Sequence, residues 1–186
     1  MLILVGPSAS GKTELLKVLI KKHNMKKLVT YTTRPMRVGE VNGVDYYFLN
    51  KEDFIEKEKN NFFFETVNYN NNYYGTSKND FSNDKAVILE PVGLQKYIDE
   101  AKDKIVIVVL SCASDILYNR MIMRGDSAES IKKRINGDIN WFTDELFKKA
   151  DLVIDTSYSN LEEDAQKVYD FYQESLNKLV NNENIR

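Results

Sequence analysis

The sequence predicts an α/β fold in which a parallel sheet is flanked by helices, and two observations carry that reading. Four short apolar runs stand out, LILV at 2–5, AVILE at 86–90, KIVIVVLS at 104–111 and LVID at 152–155. They are continuous rather than alternating, the pattern of strands covered on both faces. Between them lie stretches with apolar residues at helical spacing, from Lys12 to His23, Val92 to Lys102, Ser114 to Arg124, Ala128 to Lys149 and Asn160 to Val180. Parallel strands need such crossovers, so the alternation itself argues for the sheet.

The segment 30–83 breaks this rhythm. It carries short aromatic pieces, DYYF and NFFFETVNY, with turn residues and no strand-helix-strand unit. It reads as a small lobe of mixed β/α structure inserted between core segments 1–29 and 84–186 of a single domain spanning 1–186. A chain of 186 residues with 42% hydrophobic and 29% charged content supports one well-buried core. The net charge of -2 argues against a nucleic-acid or membrane partner, which would need a basic surface. Any anionic partner should be small and locally held. Cys112, the single cysteine, ends an apolar run and reads as an inert buried thiol. With no disulfide framework and no leader-like or long apolar segment, a cytoplasmic protein is expected.

Several conspicuous residues receive plain structural readings. His23 ends a helix after two lysines and is expected at the surface, favoured there by the helix dipole. KEDFIEKEK reads as a solvated helical face, Trp141 as packing, and the tail NNENIR as frayed.

The chemistry starts after the first strand. GPSASGKT, comprising Gly6, Pro7, Ser8, Ala9, Ser10, Gly11, Lys12 and Thr13, fits G-x-x-x-x-G-K-[ST] and leads into a helix-compatible stretch. Consecutive backbone N–H groups and a helix N-terminus form a cradle for phosphate. Lys12 adds a point charge, and Thr13 can ligate Mg2+ on a nucleoside triphosphate such as ATP. This is the phosphate loop of P-loop NTPase-type folds. Kinases on such a frame need a second substrate site, and YTTRPMRVGEVNGVDYYF at 31–48 offers one. Arg34 and Arg37 can fork onto one phosphate in a way lysine cannot reproduce.

Together these segments resemble the guanylate kinase family. TTRPMRVGEVNGVDYYF looks like that family's acceptor-site signature, and FFFETVNYNNNYYGT like the segment that follows it. The resemblance implies that Arg34, Arg37, Tyr46 and Tyr74 hold the phosphate of GMP, with Glu40 nearby and Thr30, Glu65 and Thr76 facing the base. Tyr73, next to Tyr74, would point to the opposite face of a strand. A carboxylate matches guanine chemically, since N1–H and the 2-amino group present two donors side by side. LYNRMIMRGDSAESIKKR resembles the family's helical lid, at about 120–136, which makes Arg120, Arg124 and Arg134 candidates for the donor phosphates. Thr156 falls where the adenine side is expected. The implied catalytic group is Lys12, Arg34, Arg124 and Arg134, with Mg2+ accompanying ATP and the chain a monomer or homodimer.

One departure from the family pattern stands out. The strand after the inserted lobe usually ends in an acidic D-x-D-x-x-G, whereas here it reads ILEPVGLQK. Glu90 replaces the first carboxylate and is expected to reach Mg2+ through water, while the second position falls on Val92. Without that second carboxylate, Arg34 is expected to be loosely held. Two rival readings are a phosphotransferase of this type with another acceptor, such as dGMP or a phosphorylated sugar, and a non-catalytic module that holds a phosphorylated peptide. The intact phosphate loop favours the enzyme.

Overall fold

The computed structural model describes residues 1–69 and 71–183. Its main sheet has five parallel strands: β1 (Leu2–Val5), β2 (Lys26–Lys27), β7 (Lys85–Ile88), β8 (Val106–Ser111) and β9 (Leu152–Asp155), in the order β2-β7-β1-β8-β9. β1 lies in the centre because LILV has no polar side to offer solvent, and all four residues are fully buried. Leu2 and Leu4 project to one face, where they meet Leu15 and Leu19 of α1 (Lys12–His23) and Val168 and Tyr172 of α7 (Leu161–Glu183). Ile3 and Val5 project to the other, against Leu94 and Tyr97 of α3 (Pro91–Ala101). Each such side chain contributes about 1.5–3 kcal/mol when fully buried. Two cores thus clamp one sheet, and the ends of β1, β7 and β8 all open toward the same edge, where ligands of such sheets sit.

The segment 30–83 builds a second sheet from β3 (Tyr31–Thr32), β4 (Tyr47–Phe48), β5 (Phe63–Tyr69) and β6 (Asn72–Ser77), ordered β4-β3-β6-β5, with α2 (Lys51–Lys59) beside it. β3 and β4 run parallel, whereas β6 is antiparallel to both β3 and β5. α2 is not merely a solvated face. Phe54 on it is completely buried and stacks on Phe63, with ring centroids 4.5 Å apart.

Other expectations are corrected as well. The single helix expected over 128–149 divides into α5 (Ala128–Trp141) and α6 (Asp144–Lys149). Phe142 leaves helical geometry with ψ 66°, and Thr143 is extended at the start of α6, whose first turn holds Asp144 and Glu145. At the break Trp141 stays 43% exposed instead of packing inward. His23 stacks on Tyr169 of α7 at 4.1 Å, so it lies between helices rather than at a free surface. Cys112 is only half-buried. α7 continues into NNENIR as far as Glu183, and residues 184–186 lie outside the described residues.

Candidate functional site

The turn after β1 is a tight nest. A Cβ on Gly6 would come within 2.7 Å of Ser10 Oγ and 2.9 Å of the Leu110 carbonyl, and Gly11 sits at φ +94°, where a side chain is strained. Lys12 folds back over the loop, donating to the carbonyls of Gly6 at 2.6 Å and Pro7 at 2.9 Å. Burial pushes its pKa down, opposed by the negative charges of Glu90 and Asp138 and reinforced by the nearby Arg124 and Arg134. Thr13, in the first turn of α1, is exposed.

A narrow cleft of about 40 Å³ opens alongside, lined by residues of both sheets: Thr30, Tyr46, Glu65, Tyr74, Glu90 and Gly93 are among them. Glu65 lies on β5, 5% exposed. Its Oε1 accepts the Thr76 hydroxyl at 3.1 Å, but its Oε2 is buried with no hydrogen-bond partner. Burial pushes this carboxyl up to about 7, against the Thr76 hydroxyl and amide, which favour the charged form. α3 can approach because residue 93 is glycine: a Cβ there would lie 3.0 Å from Glu65 Oε2. Glu90 is not part of the strand. It occupies the N-cap position of α3 without a side-chain capping hydrogen bond, and its carboxyl is raised by burial while Lys12 pulls the other way.

At the other end of the cleft Arg34 is well anchored, contrary to the expectation from the missing carboxylate. Glu40 supplies the partner, accepting from Nη2 at 2.7 Å and from Nη1 at 3.0 Å. Nη1 also donates to Pro35 O, and the guanidinium lies over the rings of Tyr46 at 5.2 Å and Phe48 at 5.6 Å. Burial opposes ionisation of Glu40, yet Arg34 and the Arg37 amide hold its carboxyl below the ordinary range. The Arg37 side chain is exposed. Tyr46 and Tyr74 meet edge to face at 6.2 Å, whereas Tyr73 turns to the opposite side and stacks on Phe54 at 5.5 Å.

The candidate lid residues come from α4 (Ser114–Met123), the turn after it, and α5. Arg120 reaches under the phosphate loop, donating to Thr156 O at 2.6 Å and Ala9 O at 3.4 Å. That makes it a support for the loop in this conformation. Thr156 likewise differs from the expectation. It is 7% exposed and directs its hydroxyl to Ser10 O at 2.9 Å and Ser111 O at 3.0 Å, so its donor is engaged inside the protein. Arg124 forks onto Asp126, and Arg134 Nε lies 3.9 Å from the same carboxylate and 3.3 Å from Ser130 Oγ.

The family model described as Guanylate kinase matches residues 1–175. The chain belongs to the guanylate kinase family. It is 35% identical over 135 residues to a guanylate kinase of Clostridium tetani, covering 69% of this chain and 65% of that one. To a guanylate kinase of Mycoplasmopsis pulmonis it is 36% identical over 149 residues, covering 73% and 76%. The chain thus spans just under two thirds of the length of the Clostridium tetani relative. Among solved structures, a guanylate kinase from Anaplasma phagocytophilum superposes with a TM-score of 0.68 at 22% identity, over 93% of this chain and 84% of that one. A gluconokinase from Sinorhizobium meliloti superposes with 0.55 at 13% identity, over 96% and 94%. The fold alone therefore does not select an acceptor, and the side chains of the cleft must.

Within this guanylate kinase fold three residues escaped the sequence reading. Asp126 gathers the two arginines; its place in RGD between two basic stretches was the available signal. Asp138 on α5 accepts the Ser8 N–H at 2.8 Å, filling one position of the phosphate nest, and nothing in a helical heptad marks it. Tyr97 on α3 reaches Thr76 from below the cleft, yet by spacing it is indistinguishable from any core aromatic. No helix among the described residues is long and apolar enough to cross a membrane.

Proposed function

We propose that this chain is a guanylate kinase that transfers the γ-phosphoryl group of ATP to the 5′-phosphate of GMP, giving ADP and GDP. The observation that carries the proposal is Glu65 Oε2, a buried carboxylate oxygen with no partner in a cleft beside a phosphate loop. Guanine N1–H and the 2-amino group supply two donors in line for that carboxylate. Adenine presents an acceptor and a C–H there and would leave it desolvated and unpaired. Because the Thr76 proton already goes to Glu65, Thr30 is the hydroxyl left to donate to O6.

Arg34 uses three of its five donors on Glu40 and Pro35, which leaves Nε and one Nη2 hydrogen for the GMP phosphate. Arg37, Tyr46 and Tyr74 complete that shell, with Glu40 acting through Arg34. At the donor end the backbone N–H groups between Ser8 and Thr13, together with Lys12, hold the ATP phosphates. Arg124 and Arg134 leave Asp126 to meet the γ-phosphoryl group, and Arg120 braces the loop beneath. An anionic oxygen of GMP attacks γ-phosphorus, a new P–O bond forms as the bond to the bridging oxygen breaks, and that electron pair leaves with ADP. The nucleophile is already ionised, so no protein base is required. Positioning and charge neutralisation carry the rate.

The residues present fit Mg2+ delivered with ATP. Thr13 offers an exposed hydroxyl and Glu90 a carboxylate facing Lys12, both hard oxygen donors, and no cluster of three acidic, histidine or cysteine groups forms among the described residues. When bound, the ion neutralises phosphate charge. Thr13 would hold it directly and Glu90 through water.

A coupled assay of ADP release tests the reading across GMP, dGMP, AMP, UMP and CMP. GMP should lead the other bases by orders of magnitude, and Lys12→Ala should abolish turnover while the thermal melt stays cooperative. Equal rates with AMP, or an active Lys12→Ala variant, would overturn it.

A further inference from the structure

Thr76 has a second neighbour that the reading above leaves unused. The Tyr97 hydroxyl lies 2.5 Å from Thr76 Oγ1, and Thr76 Oγ1 lies 3.1 Å from Glu65 Oε1. Every hydroxyl carries one proton, and an ionised carboxylate only accepts. Thr76 must therefore donate to Glu65 and accept from Tyr97. With Glu65 ionised, the direction of the whole chain, from Tyr97 through Thr76 to Glu65, follows from counting protons.

We propose that Tyr97 is a positioning residue for guanine recognition, orienting Glu65 through Thr76 so that Oε2 faces the incoming base. This rests on the guanylate kinase reading and extends it to a residue beneath the cleft. The arrangement depends on α3. Gly93 and Tyr97 are four residues apart and so share a helix face. Gly93 admits Glu65 Oε2, while Tyr97, one turn later, supports the other oxygen from below. The phenol has little freedom to swing away, since Tyr97 is fully buried between Phe64 at 4.6 Å and Phe81 at 5.4 Å. Burial also pushes its pKa up, so it stays a neutral donor.

The relay has a consequence for charge. Burial favours the protonated form of Glu65, and its hydrogen bonds from Thr76 favour the ionised form that guanine needs. Around it stand Thr76 on β6 and Tyr97 on α3, with Tyr46, Tyr74 and Glu90 along the cleft and Asp80 facing Tyr97. None of these is a cation. Ionised Glu65 is thus stabilised by hydroxyl and amide donors, and a Thr76 hydroxyl that Tyr97 polarises is the better donor.

Tyr97→Phe tests this, because it keeps the ring and removes one oxygen. In steady-state assays on the full chain, KM for GMP should rise about five- to tenfold. Turnover at saturating GMP and KM for ATP should stay within about twofold. The acid limb of kcat/KM for GMP, set by Glu65 near 7 in the wild type, should move to higher pH. Thr76→Val, which breaks the same chain at its middle link, should move that limb in the same direction. A purely packing role for Tyr97 would lower the melting temperature and leave the pH profile in place; an unchanged profile and KM would overturn the proposal. Should Glu65→Gln phosphorylate GMP as well as the wild type, the guanine reading itself fails. Loss in Glu65→Gln with an unaltered Tyr97→Phe refutes the relay alone.

Discussion

Glu65 changes charge near neutral pH, and that has opposite consequences for folding and for binding. Its carboxyl rises from 4.5 to about 7 because of burial, so the folded chain holds a proton that the unfolded chain has released. The stability this contributes is complete below pH 4.5 and is lost as pH rises through about 7. The difference corresponds to about 3 kcal/mol. In the proposed function GMP, in contrast, requires the ionised form. In the wild type, KM for GMP should rise by about tenfold per pH unit below that value. Glu65→Gln should remove both dependences. Denaturant melts should show the variant more stable than wild type above neutral pH, while its kcat/KM for GMP falls by about 10² or more, since an amide donor opposes guanine's donors. Arg34 makes a companion case. Arg34→Lys loses the fork onto Glu40 as well as donors for phosphate, so titration should show GMP binding weaker by about 1.5–3 kcal/mol, together with a lower melting temperature.

At the scale of elements, α3 organises the acceptor end, placing Glu90 at its N-cap, Gly93 against Glu65 and Tyr97 beneath Thr76. Glu90→Gln keeps the cap's shape and removes a charge facing Lys12, so turnover measured across a Mg2+ titration should fall by about 10². A variant equal to wild type at limiting and saturating metal would reduce Glu90 to a helix cap. Four of the five parallel strands and the phosphate loop were legible because apolar strands and glycine-rich turns leave local signatures, as in LILV and GPSASGKT, whereas the edge strand β2 is two lysines with no apolar signal. Contacts between distant segments were not legible either. The sequence put Arg34 without a carboxylate because the family pattern looks for one near Val92. The chain instead brings Glu40 round by a turn through Gly39 at φ +86°. Likewise the break after Trp141 depends on Phe142 and Thr143, which an apolar period reads straight through.

Over the whole molecule, the parts that the proposed function assigns to two nucleotides already touch one another. Asp138 on α5 occupies the Ser8 N–H, Asp126 lies within electrostatic reach of Arg37, and a Cβ on Gly137 would stand 3.9 Å from the Tyr69 hydroxyl of the small sheet. The cleft between the sheets, at about 40 Å³, has room for a water but not for a purine. On the proposed reading, GMP enters as the small sheet moves away from β7 and α3, whose residues line the other side of this cleft, a motion of the kind that gates many kinases. Asp138 stands where a phosphate oxygen of the proposed donor would come, offering a carboxylate to the Ser8 N–H and a counter-charge to Lys12. Asp138→Asn keeps the shape and weakens both contacts. Equilibrium titration should then show ATP binding about three- to tenfold tighter, in line with one hydrogen bond to a charged group no longer displaced. KM for GMP should be unchanged, because the Glu65 and Arg34 contacts are untouched. Weaker ATP binding in that variant would mean that Asp138 shapes the loop for phosphate rather than competing with it.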